Sequence, residues 1–579
     1  MSVTDLAVSR APTPEAGGAY QWYRYSRASA EELAALDCST PLLAQLLVNR
    51  GITGFADARQ FLTPDLSALR DPFALMGMDQ AADRLLHSIQ HEERIAIYGD
   101  YDVDGLTAAS VLYAFLRGLN VDPVVFIPHR TRDGYGLNHR ALDALIDAGA
   151  AVIVTVDCGI TAIDEVARAR SRGADIVVTD HHPALPDIPA ATAVVNPNQP
   201  GCQYPFKYLS GAGVAYKLAQ AIATRLGTAA AQQVVDALVD LAALGTMADV
   251  VPLVDENRVL VSTGLAAMRA GKSRPGIVHL ARVAGVDLSA ATAESLAFYL
   301  APRLNAAGRL GDARQAFDLL HCERDEEAAE LAQALDSLNL ERQGQTDEYV
   351  QRALESLKSQ PPQSVVLVAG DYPLGIAGIV AARLVDEFQL PAIVLGEVDG
   401  LLKGSARAPQ PYNIAAGLHE AASLLGRFGG HARAAGLSMP AAHLDGLREV
   451  LEIHFEPLIS PGDRRPPLVI DALVRPETIS FETVAALEAL DPCGEANPGP
   501  VLLWRGAEVM THRVVGKGHL SMHLRGGGRV LPTITFRPKL PAPQIGERID
   551  VAFEARREVW NDSPRLSLRL RDWRPTTID

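Results

Sequence analysis

Between residues 90 and 200 the chain alternates short, wholly apolar runs with segments whose apolar positions recur every three or four residues. "RIAIYG", "VVFIP", "AVIVTV", "DIVVT" and "AVVN" are β-branched runs of strand length. "LTAASVLYAFLRGL" and "AIDEVARARSRG", lying between them, carry helical spacing. A strand that is apolar at every position is covered on both faces, so this stretch predicts a parallel sheet with helices on each side. Two further helical patterns follow, "GAGVAYKLAQAIATRLG" and "AAAQQVVDALVDLAALGTM".

From Glu323 to Lys358 the pattern changes. Leu331, Leu335, Leu338, Tyr349, Ala353 and Leu357 are spaced by three, four or multiples of these in a polar background. The spacing predicts one long helix acting as a spacer and ended by "SQPPQ". A second α/β unit opens with "SVVLVAG" and runs through "LPAIVLG" to "FGGHARAAGLSM". Beyond Pro-rich "ISPGDRRPPL", short strand-like runs between Gly and Pro turns predict a small β-barrel. The expected organisation is an N-terminal lead-in (1–45), a catalytic α/β domain (46–322), the long helix (323–360), a second α/β domain (361–460) and the barrel (461–579).

Composition adds limits. A chain of 579 residues is too long for one domain. No run approaches the roughly 18 apolar residues of a membrane span. The stretch "MSVTDLAVSRAPTPEAGGAY" has no signal pattern and reads as a loose tail. Five scattered cysteines without CxxC spacing point to a reducing cytoplasm and away from disulfides or a zinc ribbon. Net charge is −16, but Val501–Asp579 carries 14 Lys+Arg against 8 Asp+Glu. Because screening acts over about 8–10 Å, this locally basic end can still meet a polyanion.

Acidic clusters stand directly after apolar runs or helix ends: Asp100, Asp102 and Asp104 after "IAIYG", Asp157 after "AVIVTV", Asp180-His181-His182 after "DIVVT", and Asp249 in "GTMADVVPL". In open parallel sheets the strand carboxyl ends border the binding crevice, so these side chains are expected to converge there. Carboxylates with one or two imidazoles suit Mn²⁺ or Mg²⁺ better than zinc. "DYDVDG" also matches the start of a calcium hand, but the twelfth loop position is Val111 and a strand, not a helix, precedes it. His129, His139 and His279 read as surface or satisfied core residues. "SGAGVAYK" reads as a helix start rather than half a phosphate loop, and Cys158 as a small buried thiol under the site.

"GDYDVDG", "VTVDCGI", "VVTDHHP" and "LGTMADVVPL", in this order, resemble the motifs of the DHH phosphoesterases, and "KGSARA" and "FGGHARAAG" resemble the DHH-associated domain. "APRLNAAGRL", the long helix, "LDPCGEANPGPVL" and the barrel are similar to the bacterial single-strand-specific 5′→3′ DNA exonucleases within that family. The implied fold is a DHH-type parallel-sheet α/β domain, a DHH-associated α/β domain and a C-terminal OB-fold. The resemblance implies two divalent ions, Mn²⁺ or Mg²⁺. Asp104, Asp157, His181 and Asp249 would hold one; Asp102 and the bridging Asp157 would hold the other, with Asp100 nearby. His182 would serve the scissile phosphate or the leaving oxygen.

It further implies phosphate contacts from Arg303, Asn305 and Arg309, and a 5′-phosphate pocket of Ser405, Arg407, Gly429, Gly430 and His431, closed by Arg130 or Arg132. Arg556, Arg557, Trp560, Arg569, Arg571 and Trp573 are candidate strand contacts on the barrel. Two departures stand out: Tyr98 where the wider family has a His, which implies a weaker second metal site, and "DYPLGIAGIVAARL" where a Trp-His pair is expected, with Tyr372 as a replacement contact. The implied partners are single-stranded DNA with a 5′ end, a single-strand-binding protein and a helicase, with no membrane and a monomeric chain. The alternatives are a phosphodiesterase for short oligonucleotides or cyclic dinucleotides, and a non-catalytic replication scaffold.

Overall fold

The computed structural model of the chain describes residues 11–15, 17–130, 132–459, 465–516, 518–560 and 563–576, the side chains of residues 559 and 560 excepted. The five apolar runs form one parallel sheet. Its spatial order is Val124–Phe126, Ile95–Tyr98, Val152–Val156, Asp175–Thr179, Ala193–Val195. Alternate residues feed opposite cores, as a pleat requires. Ile95 and Ile97 join the larger cluster, while Ala96 and Tyr98 join a smaller one with Ile153 and Val178. The helices Val103–Gly118, Gly211–Leu226 and Val239–Ala248 all pack into the larger cluster. The strand order reverses between Ile95–Tyr98 and Val152–Val156, the first and third strands of the sheet in sequence. Such a switch point opens a crevice beyond the strand carboxyl ends, where ligands bind.

The expected long helix is Asp325–Leu357, 33 residues and so about 50 Å long. Ala332 and Leu335 pack into the first domain's core, and Ala353 and Leu357 into the second's. That second domain is a mixed sheet ordered Arg427–His431, Ala434–Pro440, Leu401–Arg407, Ala392–Val398, Val366–Gly370, with the last pair parallel and the others antiparallel. Tyr372 lies in its core with its ring 5.6 Å from that of Tyr349, so it is a packing residue rather than a strand contact.

The barrel comprises Leu502–Val515, His519–Gly526, Arg529–Thr535, Arg548–Trp560 and Ser563–Pro575, and pairing of Leu502–Val515 with Arg548–Trp560 closes it. Its core includes Leu43, Leu46, Leu47, Val48 and Ala58, so residues 46–58, expected in the catalytic domain, pack with the barrel instead. Nor is the stretch before residue 25 a loose tail where it is described. Gln21–Arg24 pairs with Thr13–Glu15 and Pro467–Ile470. The Asp572 carboxylate accepts the buried Trp22 indole N–H at 2.8 Å and the backbone N–H groups of Gly18, Ala19 and Tyr20.

Arg258 of the catalytic domain is buried and donates to the carbonyls of Phe61, Leu490, Asp491 and Pro492. This clamps "LDPCGEANPGP" against the catalytic domain and fixes the barrel's seat. Among the described residues no helix is long and apolar enough to cross a membrane.

Candidate active site

The carboxyl ends of three adjacent strands deliver three of the acidic clusters to the switch point, and Asp249 follows the end of the helix Val239–Ala248. Asp102 caps the helix Val103–Gly118, accepting the Gly105 N–H at 3.1 Å. Hence the triple-aspartate loop is a helix start after a strand, with no calcium-hand geometry. Gly105 is required there: a Cβ would sit 2.6 Å from that of Asp100. Asp157 follows its strand in a left-handed conformation (φ 61°), which an aspartate tolerates better than most residues.

Asp104 is buried, and its two carboxylate oxygens accept the Gly211 and Ala212 N–H groups at 2.6 and 2.9 Å. "SGAGVAYK" does open a helix, and the anion at its N-terminus is the protein's own carboxylate. Gly211 also makes room for Asp157, whose Oδ1 would lie 2.5 Å from an added Cβ.

Three overlapping groups result: Asp104, His181 and Asp249; Asp157, His181 and His182; and Asp100, Asp102 and Asp157, the ligand atoms within each lying within 4.8 Å of one another. His181 Nε2 is 3.1 Å from Asp157, 3.6 Å from Asp249 and 3.8 Å from Asp104. Asp100 Oδ1, Asp157 Oδ1, His181 Nε2 and Asp249 Oδ2 are buried without a hydrogen-bond partner. Such orphaned acceptors are rare in folded proteins. Burial, then repulsion from Asp102, raises Asp100 to about 8; burial, then repulsion from Asp104 and Asp102, raises Asp157 well above its ordinary value; and burial raises Asp104 against the pull of His181. Burial also raises Asp249, to about 7, against the pull of His181. A buried anionic cluster of oxygens with one imidazole fits divalent cations of the Mn²⁺ or Mg²⁺ type.

The role of Asp180 is not evident from the motif alone. One of its oxygens accepts the N–H groups of His181 (2.7 Å) and His182 (3.0 Å) and faces His182 Nδ1 at 2.8 Å; the other accepts the Ile160 N–H. Burial pulls His182 down, but the Asp180 hydrogen bond carries it up to about 9. Tyr135, also not anticipated, brings its hydroxyl to 3.4 Å from His182 Nε2. Its "DGYGLN" setting, glycines around an aromatic, was the available signal. Tyr98 is buried and turned from the metal groups, its hydroxyl donating to Gly136 O at 3.0 Å and accepting from Asn138 at 3.1 Å. Cys158 is buried, and burial pushes its thiol well up, which leaves it inert.

Cations face this cluster. Arg130 lies 4.3 Å over the Tyr101 ring and donates to Gly308 O. Arg309 donates to Gly375 O across the domain boundary; burial, then Arg130 and Arg342, lowers it to about 10. Burial and Arg130 likewise lower Arg407. Arg407 in turn acts on His431, lowered first by burial. Ser405 and Arg407 share one strand against Gly378, where a Cβ would meet the Arg407 guanidinium at 2.7 Å. Gly429, Gly430 and His431 lie in the strand Arg427–His431. Arg303 is tied to Asp336 at 2.8 Å, Asn305 is half-buried on the same helix, and Arg132 is exposed. On the barrel, Trp573 is core, and the Trp560 side chain lies outside the described residues.

Parallel sheet, switch-point carboxylates and the Asp180-His181-His182 motif together define a DHH phosphoesterase. The DHH family, N-terminal domain, matches residues 94–246, the DHHA1 domain residues 346–455 and the RecJ OB domain residues 470–572. The chain is 39% identical to the single-stranded-DNA-specific exonuclease RecJ of Bacillus subtilis (strain 168), over 92% of this chain and 68% of that protein. It is 35% identical to the protein of the same name from Escherichia coli (strain K12), over 89% and 92%. A crystal structure of RecJ in complex with Mn²⁺ from Thermus thermophilus superimposes with a TM-score of 0.83 at 29% identity, covering 96% of this chain and 80% of that one. The chain belongs to the RecJ family.

Proposed function

We propose that this chain is a metal-dependent exonuclease that hydrolyses single-stranded DNA from the 5′ end and releases 5′-mononucleotides. The observation that carries the reading is that Asp157 and His181 link the Asp100–Asp102–Asp157 and Asp104–His181–Asp249 groups into one cluster, opposed by cations from both α/β domains. Asp104, Asp157, His181 and Asp249 would hold one divalent ion, and Asp102, Asp157 and Asp100 the other. Bound there, Mn²⁺ or Mg²⁺ supplies Lewis-acid charge for activating water and for neutralising phosphoryl oxygens.

The chain's own groups do the rest. Asp180 fixes the His182 ring and favours its charged form, so Nε2 presents a proton to the scissile phosphate or the leaving oxygen. Arg130, Arg309 and Arg407, with Ser405, His431 and the Gly429–Gly430 backbone, grip the terminal phosphate, whose oxygens match the guanidinium fork. The long helix holds the two α/β domains at a set separation, which favours a slot for an unpaired strand. The barrel and the complete ligand set weigh against a dinucleotide phosphodiesterase or an inert scaffold.

Single-strand-binding protein and a helicase are natural suppliers of such a substrate, and a reducing cytoplasm suits its free cysteines. Digestion of labelled single strand and matching duplex, with Mn²⁺, Mg²⁺ or EDTA, tests the reading. Metal-dependent loss of single strand alone supports it; equal digestion of duplex, or activity in EDTA, contradicts it.

A further inference from the structure

The barrel arginines expected to touch DNA are paired with carboxylates. Arg557 reaches Glu488 at 3.4 Å and Arg571 reaches Glu554 at 3.0 Å. Two others converge on a residue outside the barrel: Arg556 lies 2.8 Å, and Arg569 3.6 Å, from the two oxygens of Glu294 in the catalytic domain. Arg556 also holds Glu554 at 2.9 Å. Partly exposed ion pairs contribute little to stability, so adhesion alone explains this contact poorly. A carboxylate between two guanidinium groups has the charge and the oxygen fork of a phosphodiester.

A second observation points to the same ligand. Glu294 directly precedes a π-helical turn, Ser295–Leu300, a rare geometry that concentrates at functional sites. That turn leaves Phe298 73% and Tyr299 45% exposed. Across the seam, the Arg569 guanidinium lies 4.9 Å over the ring of Phe536, itself half exposed. Cations interleaved with open aromatic faces are how single strands are gripped without regard to sequence.

We propose that Arg556 and Arg569 form a phosphate notch where the strand passes between catalytic domain and barrel, and that Glu294 fills it as an internal phosphate mimic until DNA displaces it. The proposal rests on the single-strand nuclease reading above. Exchanging one carboxylate for one phosphate leaves the charge balance of the notch unchanged. The contact therefore forms and breaks readily, as suits a strand that must advance after each cut.

The whole chain carrying Asp157→Asn, expected to hold DNA without cutting it, allows the test. Binding of an oligothymidylate of about 30 nucleotides is followed by fluorescence anisotropy from about 50 to 200 mM salt. Adding Glu294→Gln is expected to tighten binding roughly 3–10-fold at the lowest salt. The slope of log K against log salt should steepen by about 0.7 per phosphate gained. Arg556→Gln with Arg569→Gln should remove that gain. Affinity and slope unchanged by Glu294→Gln, or weakened binding, overturn the notch. Absence of any single-strand binding before Glu294 is altered overturns the nuclease reading itself, and the notch with it.

Discussion

Asp180 holds His182 at two points: one carboxylate oxygen lies 2.8 Å from Nδ1 and accepts the His182 backbone N–H at 3.0 Å. Ring and backbone are thereby fixed together, and Nε2 is left to face the cleft. Asp180 is buried and not itself within a metal group, so it acts as a positioning residue.

Asp180→Asn should lower kcat by about 10–100-fold, the usual cost of losing an outer-sphere partner, while KM for single strands stays within about threefold. Without the anion, His182 falls from about 9 toward its ordinary value near 6.5. The protonated form is then lost at lower pH, and the alkaline limb of the kcat profile moves down. An unchanged kcat and pH profile would show that the pair is structural only.

Asp157→Asn should abolish cleavage, by about a thousandfold or more, because Asp157 is shared by two of the ligand groups. Single-strand affinity should persist, since the arginines proposed to grip phosphate are untouched. Mn²⁺ should raise the thermal midpoint of the parent and leave that of the variant nearly unmoved. A comparable shift in both would remove Asp157 from the metal site.

Arg407→Gln tests the end pocket. Loss of a charge-assisted hydrogen bond, about 1.5–3 kcal/mol, should cut kcat/KM on 5′-phosphorylated strands by about 10–100-fold. Strands with a 5′-hydroxyl should be affected far less. Equal losses on both substrates would place Arg407 away from the terminal phosphate.

His321 predicts an acid sensitivity independent of the site. Burial, then Arg274 and Arg314, lowers it to about 3, and its Nε2 has no partner where it packs on Tyr113 and Phe317. The folded protein keeps this ring neutral, while the unfolded chain binds a proton below about 6.5. The contribution is therefore complete above pH 6.5 and is lost as pH falls toward 3, at up to about 1.4 kcal/mol per pH unit. His321→Phe should flatten the urea-unfolding profile between about pH 6.5 and 4; an equally steep profile would assign the acid sensitivity elsewhere.

The sheet, the long helix and the barrel were legible because each has its own period, and the metal residues because they fall where apolar runs stop. Position in a run also foretold that Cys158 is buried. Contacts made by later folding were not legible. Nothing local to "SGAGVA" says that its N–H groups meet Asp104, which lies 107 residues earlier. Nor does "MSVTDLAVSRAPTPEAGGAY" show that Asp572 awaits its backbone some 550 residues on. Charge counting marked the C-terminal end as basic, yet several of its arginines are paired with glutamates as distant as Glu294 and Glu15. Arg303 suited a phosphate by type, but the long helix brings Asp336 to it.

Whether the switch-point site removes nucleotides from the 5′ end is decided by one time course. A single strand carrying its label on the 5′-phosphate is digested with Mn²⁺, and products are resolved by length. Attack from the 5′ end releases labelled mononucleotide from the first time point, with no labelled strands of intermediate length. A ladder of progressively shorter labelled strands would show attack from the other end and contradict it.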